Sequence, residues 1–273
     1  GYVVFAFDLY GMGESGNIPE TGEEAYEDIT GIDMYEALKY VASLPYVDET
    51  QIAATGHSSG GGAINVAFEM AQEAGGVQFA ACIPVDHEPE YYDADGNWAN
   101  IYGSVPYGVV ASKYDDWYFS EKAEDGTWLN APRDYIHTDM ARSFLSFGKD
   151  PADVPDEFQY NQLYTQEVNG ETAYRIVYQS DEIHSWSVVS QESCGYVLDF
   201  LNLVMPAPNP IDSSNQHGLL KEFISFAGMA GVFMFLVSVI GVLVNTSIFA
   251  SLKAEKEVVP EPAPVSLKGK LWF

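Results

Sequence analysis

Gly56-His57-Ser58-Ser59-Gly60 is the stretch of this sequence whose residue types and spacing point most directly to chemistry. It follows a short apolar run, residues 51–55, and leads into a helical pattern at 63–71. A chain that passes from strand to helix in so little space takes a strained turn at the residue between them. Small neighbours keep their side chains clear of both elements. Ser58 would then project from the turn, with the helix starting near Gly61. The unpaired N–H groups and positive dipole end of that helix would lie beside Ser58. That environment suits a nucleophile whose reaction creates an oxyanion. A bare Gly/Ser loop is the alternative reading of the same residues, and the strand and helix patterns on either side favour the turn.

A serine hydroxyl needs a base to take its proton, and the base needs an acid to hold its tautomer. The chain has five histidines. His57 lies in the turn and would point away from its neighbour. His87 follows an apolar run ending at residue 85, with Asp86 beside it. His137 falls in a helical pattern at 134–147, and His217 precedes a long apolar segment. His184, in "SDEIHSWS", lies just past the last apolar run and just before the last helical pattern. A loop at the carboxyl edge of a parallel sheet is where a base could reach Ser58. Asp115 and Asp116 come immediately after the apolar run 105–112. They offer the acid, in the chain order Ser, Asp, His.

The elements that would position these residues alternate. Apolar runs at 2–7, 51–55, 77–85, 105–112 and 173–179 read as strands. Helical patterns at 29–44, 63–71 and 194–204 fall between or after them. Such alternation implies an α/β fold, with a mostly parallel sheet and helices on both faces. The stretch 116–172 is long for one connection and reads as an insertion with its own small structure, including an Asn169-Gly170 turn. Its aromatic residues Trp117, Tyr118, Trp128, Tyr135, Tyr160 and Tyr164 either line a pocket for an apolar acyl group or pack the insertion itself.

At this point a resemblance can be stated. The chain resembles the α/β-hydrolase superfamily over residues 1–205, from the family's fourth central strand to its last helix. "GYVVFAFDLYGMGESG" is similar to strand four and its D-x-x-G-x-G-x-S loop, with Asp8, Gly11, Gly13 and Ser15 matching. "GHSSG" resembles the nucleophile elbow, "SKYDD" follows the position of strand seven, and "IHSWS" that of strand eight. The resemblance implies Ser58 as nucleophile, His184 as general base and acid, and Asp115 as orienting carboxylate. It prefers Asp115 over Asp116 because a small residue, Ser112, stands three before it. Asp86 is the alternative acid after the preceding strand. The Ser59 backbone N–H is implied as one oxyanion donor. The family's second donor and early strands lie before position 1. The sequence accordingly reads as a fragment, incomplete at the N-terminus, whose oxyanion strand is missing and which is itself inactive if nothing replaces it.

Composition sets further bounds. Acidic residues outnumber basic ones 40 to 12, a formal net charge of −28. A domain so acidic repels phosphates, which excludes nucleic acid as a partner. The 14% aromatic content argues for a folded domain rather than a disordered acidic chain. Cys82 and Cys194 read as small buried hydrophobes, with a disulfide between them left open. Residues 91–98, "YYDADGNW", resemble a calcium loop only loosely because Gly96 comes too early, and they read as a turn. No cofactor and no metal is called for.

The segment 206–222 reads as a linker. Residues 223–252 carry no charged side chain and read as a transmembrane helix. Residues 253–273 follow as a polar, Pro-containing loop, and its final "LWF" opens a possible second span. Lys253, Lys256, Lys268 and Lys270 follow the span and Lys221 alone closely precedes it, so the positive-inside rule puts residues 1–218 outside the cytoplasm. The expected function is a membrane-tethered serine hydrolase acting on a small-molecule or lipid ester, with amide or peptide cleavage ranked behind. A non-catalytic hydrolase-like sensor and an acyltransferase are the alternatives.

Overall fold

A computed structural model of the protein describes residues 1–16 and 26–253. The chain divides into two units, Gly1–Leu219 and Leu220–Phe273. The first unit is built on one five-stranded sheet. Its strands are β1 (Ala53–His57), β2 (Ala81–Val85), β3 (Tyr107–Tyr114), β4 (Tyr164–Val168) and β5 (Glu171–Ile183), in the order β1-β2-β3-β5-β4. Every pairing is parallel except β4 with β5. Helices α1 (Tyr26–Ala42), α2 (Ser59–Ala74), α3 (Asp139–Leu145) and α4 (Gln191–Val204) accompany it.

Strand side chains alternate between faces, so each strand feeds two cores. Tyr107, Val109, Ala111 and Val177 pack with Leu38 of α1, Ile64 and Phe68 of α2, and Phe144 and Leu145 of α3. Val110, Ile176 and Tyr178 pack with Phe200 of α4 and with Met205. Both faces of the sheet are therefore covered, as its near-continuous apolar strands require. With the parallel ladder, this sends the carboxyl ends of β1, β2, β3 and β5 toward one edge, where the turns after them can meet.

Several elements depart from the sequence expectations. Residues 2–7 belong to no strand, and Val3 and Val4 are 89% and 84% exposed. An apolar run becomes a strand only where a neighbour completes its ladder, and among the described residues none pairs with it. β4 has no counterpart among the apolar runs, because "YTQEV" is polar enough to read as loop. It is an edge strand, folded onto β5 by Asn169 and Gly170, both at positive φ (55° and 86°). The expected helix at 134–147 is split into a 3₁₀ turn, Pro132–His137, and α3. Thr138 is extended between them, and its Oγ1 caps α3 by accepting from the Ala141 N–H at 3.2 Å.

The second unit holds most of helix α5, Gly218–Leu243. At 26 residues and about 1.5 Å each, it is long and apolar enough to cross a hydrocarbon core of about 30 Å, and its most apolar window has no buried residue. It ends earlier than the apolar run 223–252. Asn245 Nδ2 and Thr246 Oγ1 donate to the Gly241 and Leu243 carbonyls, each at 2.6 Å, and so compete with the helical ladder. The expected loop and second span beyond residue 253, with Lys256, Lys268 and Lys270, lie outside the described residues.

Candidate active site

Ser58 sits between the last residue of β1 and the first of α2, with φ 54° and ψ −120°. Few non-glycine residues adopt positive φ, and the turn holds it there. Its N–H donates to the Val85 carbonyl at the end of β2 (2.9 Å), while its own carbonyl accepts from Gly61 and Gly62 (2.7 and 3.3 Å). Gly56 is needed for steric reasons, since a Cβ there would lie 2.5 Å from the Gly60 carbonyl oxygen. Gly56→Ala should therefore disrupt the turn. We expect a loss of active-site labelling out of proportion to any loss of helical signal by circular dichroism. α2 begins at Ser59 rather than near Gly61, so the Ser59 N–H is among the first-turn donors that have no acceptor within the helix.

The other two residues arrive from β3 and β5. The β3–β5 register shifts between Ser112 and Tyr114, immediately before Asp115, and such irregularities re-aim the side chains that follow. The Asp115 side chain is fully buried. Its Oδ1 accepts from the Trp117 and Tyr118 N–H groups (2.7 and 2.9 Å), which leaves Oδ2 facing His184. His184 follows β5 directly. Its Nδ1 lies 2.8 Å from Asp115 Oδ2 and its Nε2 2.9 Å from Ser58 Oγ. A carboxylate only accepts, so Nδ1 carries the proton and Nε2 is left to accept from the serine hydroxyl. His184 thus joins two residues that lie 126 and 69 positions before it in the sequence.

The remaining candidates lie elsewhere. Asp116 is exposed, next to a residue that is not. Asp86 does not meet the His184 ring as an alternative acid would. Its buried carboxylate accepts from the Ser112 N–H (2.9 Å), Ser112 Oγ (3.0 Å) and Ser187 Oγ. His57 points its Nε2 at the His184 carbonyl oxygen (2.9 Å). The His87 ring lies tilted against Tyr118 with centroids 4.7 Å apart, His137 pairs with Asp156 on the surface at 2.9 Å, and His217 is exposed. Of the insertion's aromatic residues, only Trp117 and Tyr118 border His184, with ring centroids 6.4 and 5.7 Å away. Tyr135 is buried in the core, Tyr160 and Tyr164 pack against it, and Trp128 carries Lys122 over its ring. Cys82 and Cys194 are both free, and burial pushes both thiols up.

Charge is handled locally. Burial opposes the His57 cation, but the Asp86 carboxylate and the His184 carbonyl outweigh it, so the His57 pKa is raised. Burial also pushes the Glu88 carboxyl up, against the Phe119 N–H it accepts at 2.6 Å. Among the described residues, His57, Asp86 and His184 form a group whose ligand atoms lie within 4.8 Å of one another. All three are engaged in the hydrogen bonds above, and an ion there would compete with them.

The arrangement has the parts for nucleophilic acyl transfer: a serine on a strand–helix turn, an imidazole on its hydroxyl, and a buried carboxylate behind the imidazole. Residues 1–125 match the prolyl oligopeptidase family. The matched stretch contains Ser58, Ser59, Asp86 and Asp115 and stops before His184. Members of that family are serine hydrolases, and the match supports an α/β-hydrolase fold and a serine hydrolase here. No curated protein and no solved structure gives a significant match.

Proposed function

We propose that the protein is a membrane-tethered serine hydrolase that cleaves carboxylic esters through an acyl-enzyme. The observation that supports this most directly is the hydrogen-bonded path from Ser58 Oγ through His184 to Asp115. In this reading His184 Nε2 takes the Ser58 proton as Oγ bonds to the substrate carbonyl carbon. The Ser59 N–H faces the resulting oxyanion. The imidazolium then protonates the leaving alkoxide as its bond to carbon breaks, which leaves an acyl-serine. Water, deprotonated by His184, adds to the acyl group. Collapse releases the carboxylic acid and returns the proton to Ser58. Asp115 stays ionised throughout, holding the tautomer and stabilising the imidazolium.

Peptide or amide cleavage by the same residues is the second reading, favoured by the family match at residues 1–125. Incubating the full-length protein with matched ester and peptide substrates, alongside a fluorophosphonate probe, separates the possibilities. Probe labelling with ester turnover supports the first reading, and labelling with turnover of peptides alone supports the second. A full-length protein that is neither labelled nor active is instead a non-catalytic hydrolase-like module. Acceptor-dependent ester formation identifies an acyltransferase.

Helix α5, long and apolar enough to cross a membrane, supports the tether, and the basic residues after it favour a hydrolase domain outside the cytoplasm. The full-length protein should enter the detergent phase in a phase-separation assay, whereas a chain ended after Leu219 should stay in the aqueous phase and remain folded. Aqueous partitioning of the full-length protein, or failure of the shortened chain to fold, would remove the tether from the proposal.

A further inference from the structure

The buried carboxylate of Asp86 lies beside the candidate site and is not used in the chemistry above. It sits just after β2 at φ 51°, is fully buried, and gathers donors from two other parts of the fold. Ser112 on β3 supplies two hydrogen bonds. Ser187, three residues after His184, supplies its hydroxyl. His57 Nε2 lies 3.5 Å from Asp86 Oδ2 and 2.9 Å from the His184 carbonyl oxygen. Ser187 Oγ is also 2.9 Å from that carbonyl. A hydroxyl has one proton to donate. The charged and closer acceptor, Asp86, takes it. The His184 carbonyl is then left to the His57 N–H.

We propose that Asp86 and His57 are positioning residues that fix the main chain of His184, and through it the imidazole. Asp86 accepts from the Ser187 hydroxyl, which leaves the His184 carbonyl to the His57 Nε2–H at 2.9 Å, and its carboxylate 3.5 Å from the same ring favours the imidazole at that place. His57, the last residue of β1 and the neighbour of Ser58, then ties the serine turn to the histidine loop. The residue that precedes the nucleophile thereby couples the two halves of the site. The inference rests on the reading of Ser58 and His184 as the reacting pair.

Two measurements test it on the full-length protein in detergent. The first is the rate of fluorophosphonate labelling and of turnover. His57→Ala should lower kcat by about 10²-fold with KM nearly unchanged, the scale of a misplacement of about 1 Å. His57→Gln, whose amide can still donate to the carbonyl, should recover most of that loss. Asp86→Asn should behave like His57→Ala, and Ser187→Ala provides a milder variant if Asp86→Asn fails to fold. The second is the low-field proton resonance of the His184 Nδ1–H facing Asp115, assigned by its disappearance in Asp115→Asn. It should broaden or shift in His57→Ala and return in His57→Gln. Wild-type kcat and an unchanged resonance in His57→Ala would overturn the proposal, as would a His57→Gln variant no better than His57→Ala. An unlabelled wild-type protein overturns the hydrolase reading and this inference together, whereas labelling that is equal in wild type and His57→Ala overturns this inference alone.

Discussion

Ser58→Ala protein should lose fluorophosphonate labelling completely and turn over ester substrates about 10⁶-fold more slowly than wild type. The substitution removes one oxygen from a half-buried position and leaves the turn's backbone bonds to Val85, Gly61 and Gly62 in place. Folding should therefore be retained, apart from any small change at a position with φ 54°. The size of the effect follows from the role assigned to the serine. Without Oγ no acyl-enzyme forms, and only substrate binding and the N-terminal donors of α2 remain to accelerate attack by water. Intact-mass analysis of the labelled protein, with thermal melting as the folding control, checks this. Undiminished labelling of Ser58→Ala would place the nucleophile elsewhere, and the proposed mechanism would fall with it.

Asp115→Asn carries the second large effect. The asparagine can still accept from the Trp117 and Tyr118 N–H groups through its Oδ1, so the loop should stay in place. Its amide NH₂ would face His184 Nδ1, a donor meeting a donor. The imidazole answers by shifting its proton to Nε2, where it can no longer accept from Ser58. A loss of about 10⁴-fold in kcat follows from that wrong tautomer in a serine-protease triad, and the same order is expected here. Asp116→Asn, at an exposed position beside it, should change kcat by less than about threefold, since isolated surface substitutions alter little. Turnover of both variants at matched folded concentration decides the point. A crippled Asp116→Asn would move the acid by one residue.

Part of this architecture was legible in advance because it is written in short local patterns. The spacing around Ser58 announces its own turn. An acid just after one apolar run and a histidine just after a later one follow from where parallel strands must end. The structure brings Ser58, Asp115 and His184 together, and whether they catalyse is the subject of the two experiments above. Other features depend on what lies beside a segment rather than within it. Residues 2–7 have the composition of a buried strand but find no ladder partner among the described residues. β4 has the composition of a loop but pairs along its length with β5. In the sequence Asp86 has the look of a spare acid because it, too, follows an apolar run. Only the placement of Ser112, Ser187 and His57 around it shows that its oxygens are already occupied. No local signal announces such a convergence, since its members come from three separate parts of the chain.

The parallel sheet also has a consequence for the order in which the molecule assembles. The β4–β5 hairpin closes through Asn169 and Gly170 alone, a local event of about 1–10 μs in isolated hairpins. The β3–β5 ladder is different. It pairs Tyr107 with Arg175 and Ser112 with Ser180, so the whole insertion must be closed into a loop before a single rung forms. Loop-closure entropy must be met before such pairings stabilise anything, which makes parallel, non-local sheets intrinsically slow to fold. The proposed relay depends on that ladder at both ends: Asp115 hangs from the end of β3 and His184 from the end of β5. A chain with its helices and hairpin formed but its central ladder open would hold a well-shaped serine turn with nothing to deprotonate it. The contacts from Ser58 through His184 to Asp115 therefore form no earlier than the β3–β5 ladder that carries Asp115 and His184 at its ends.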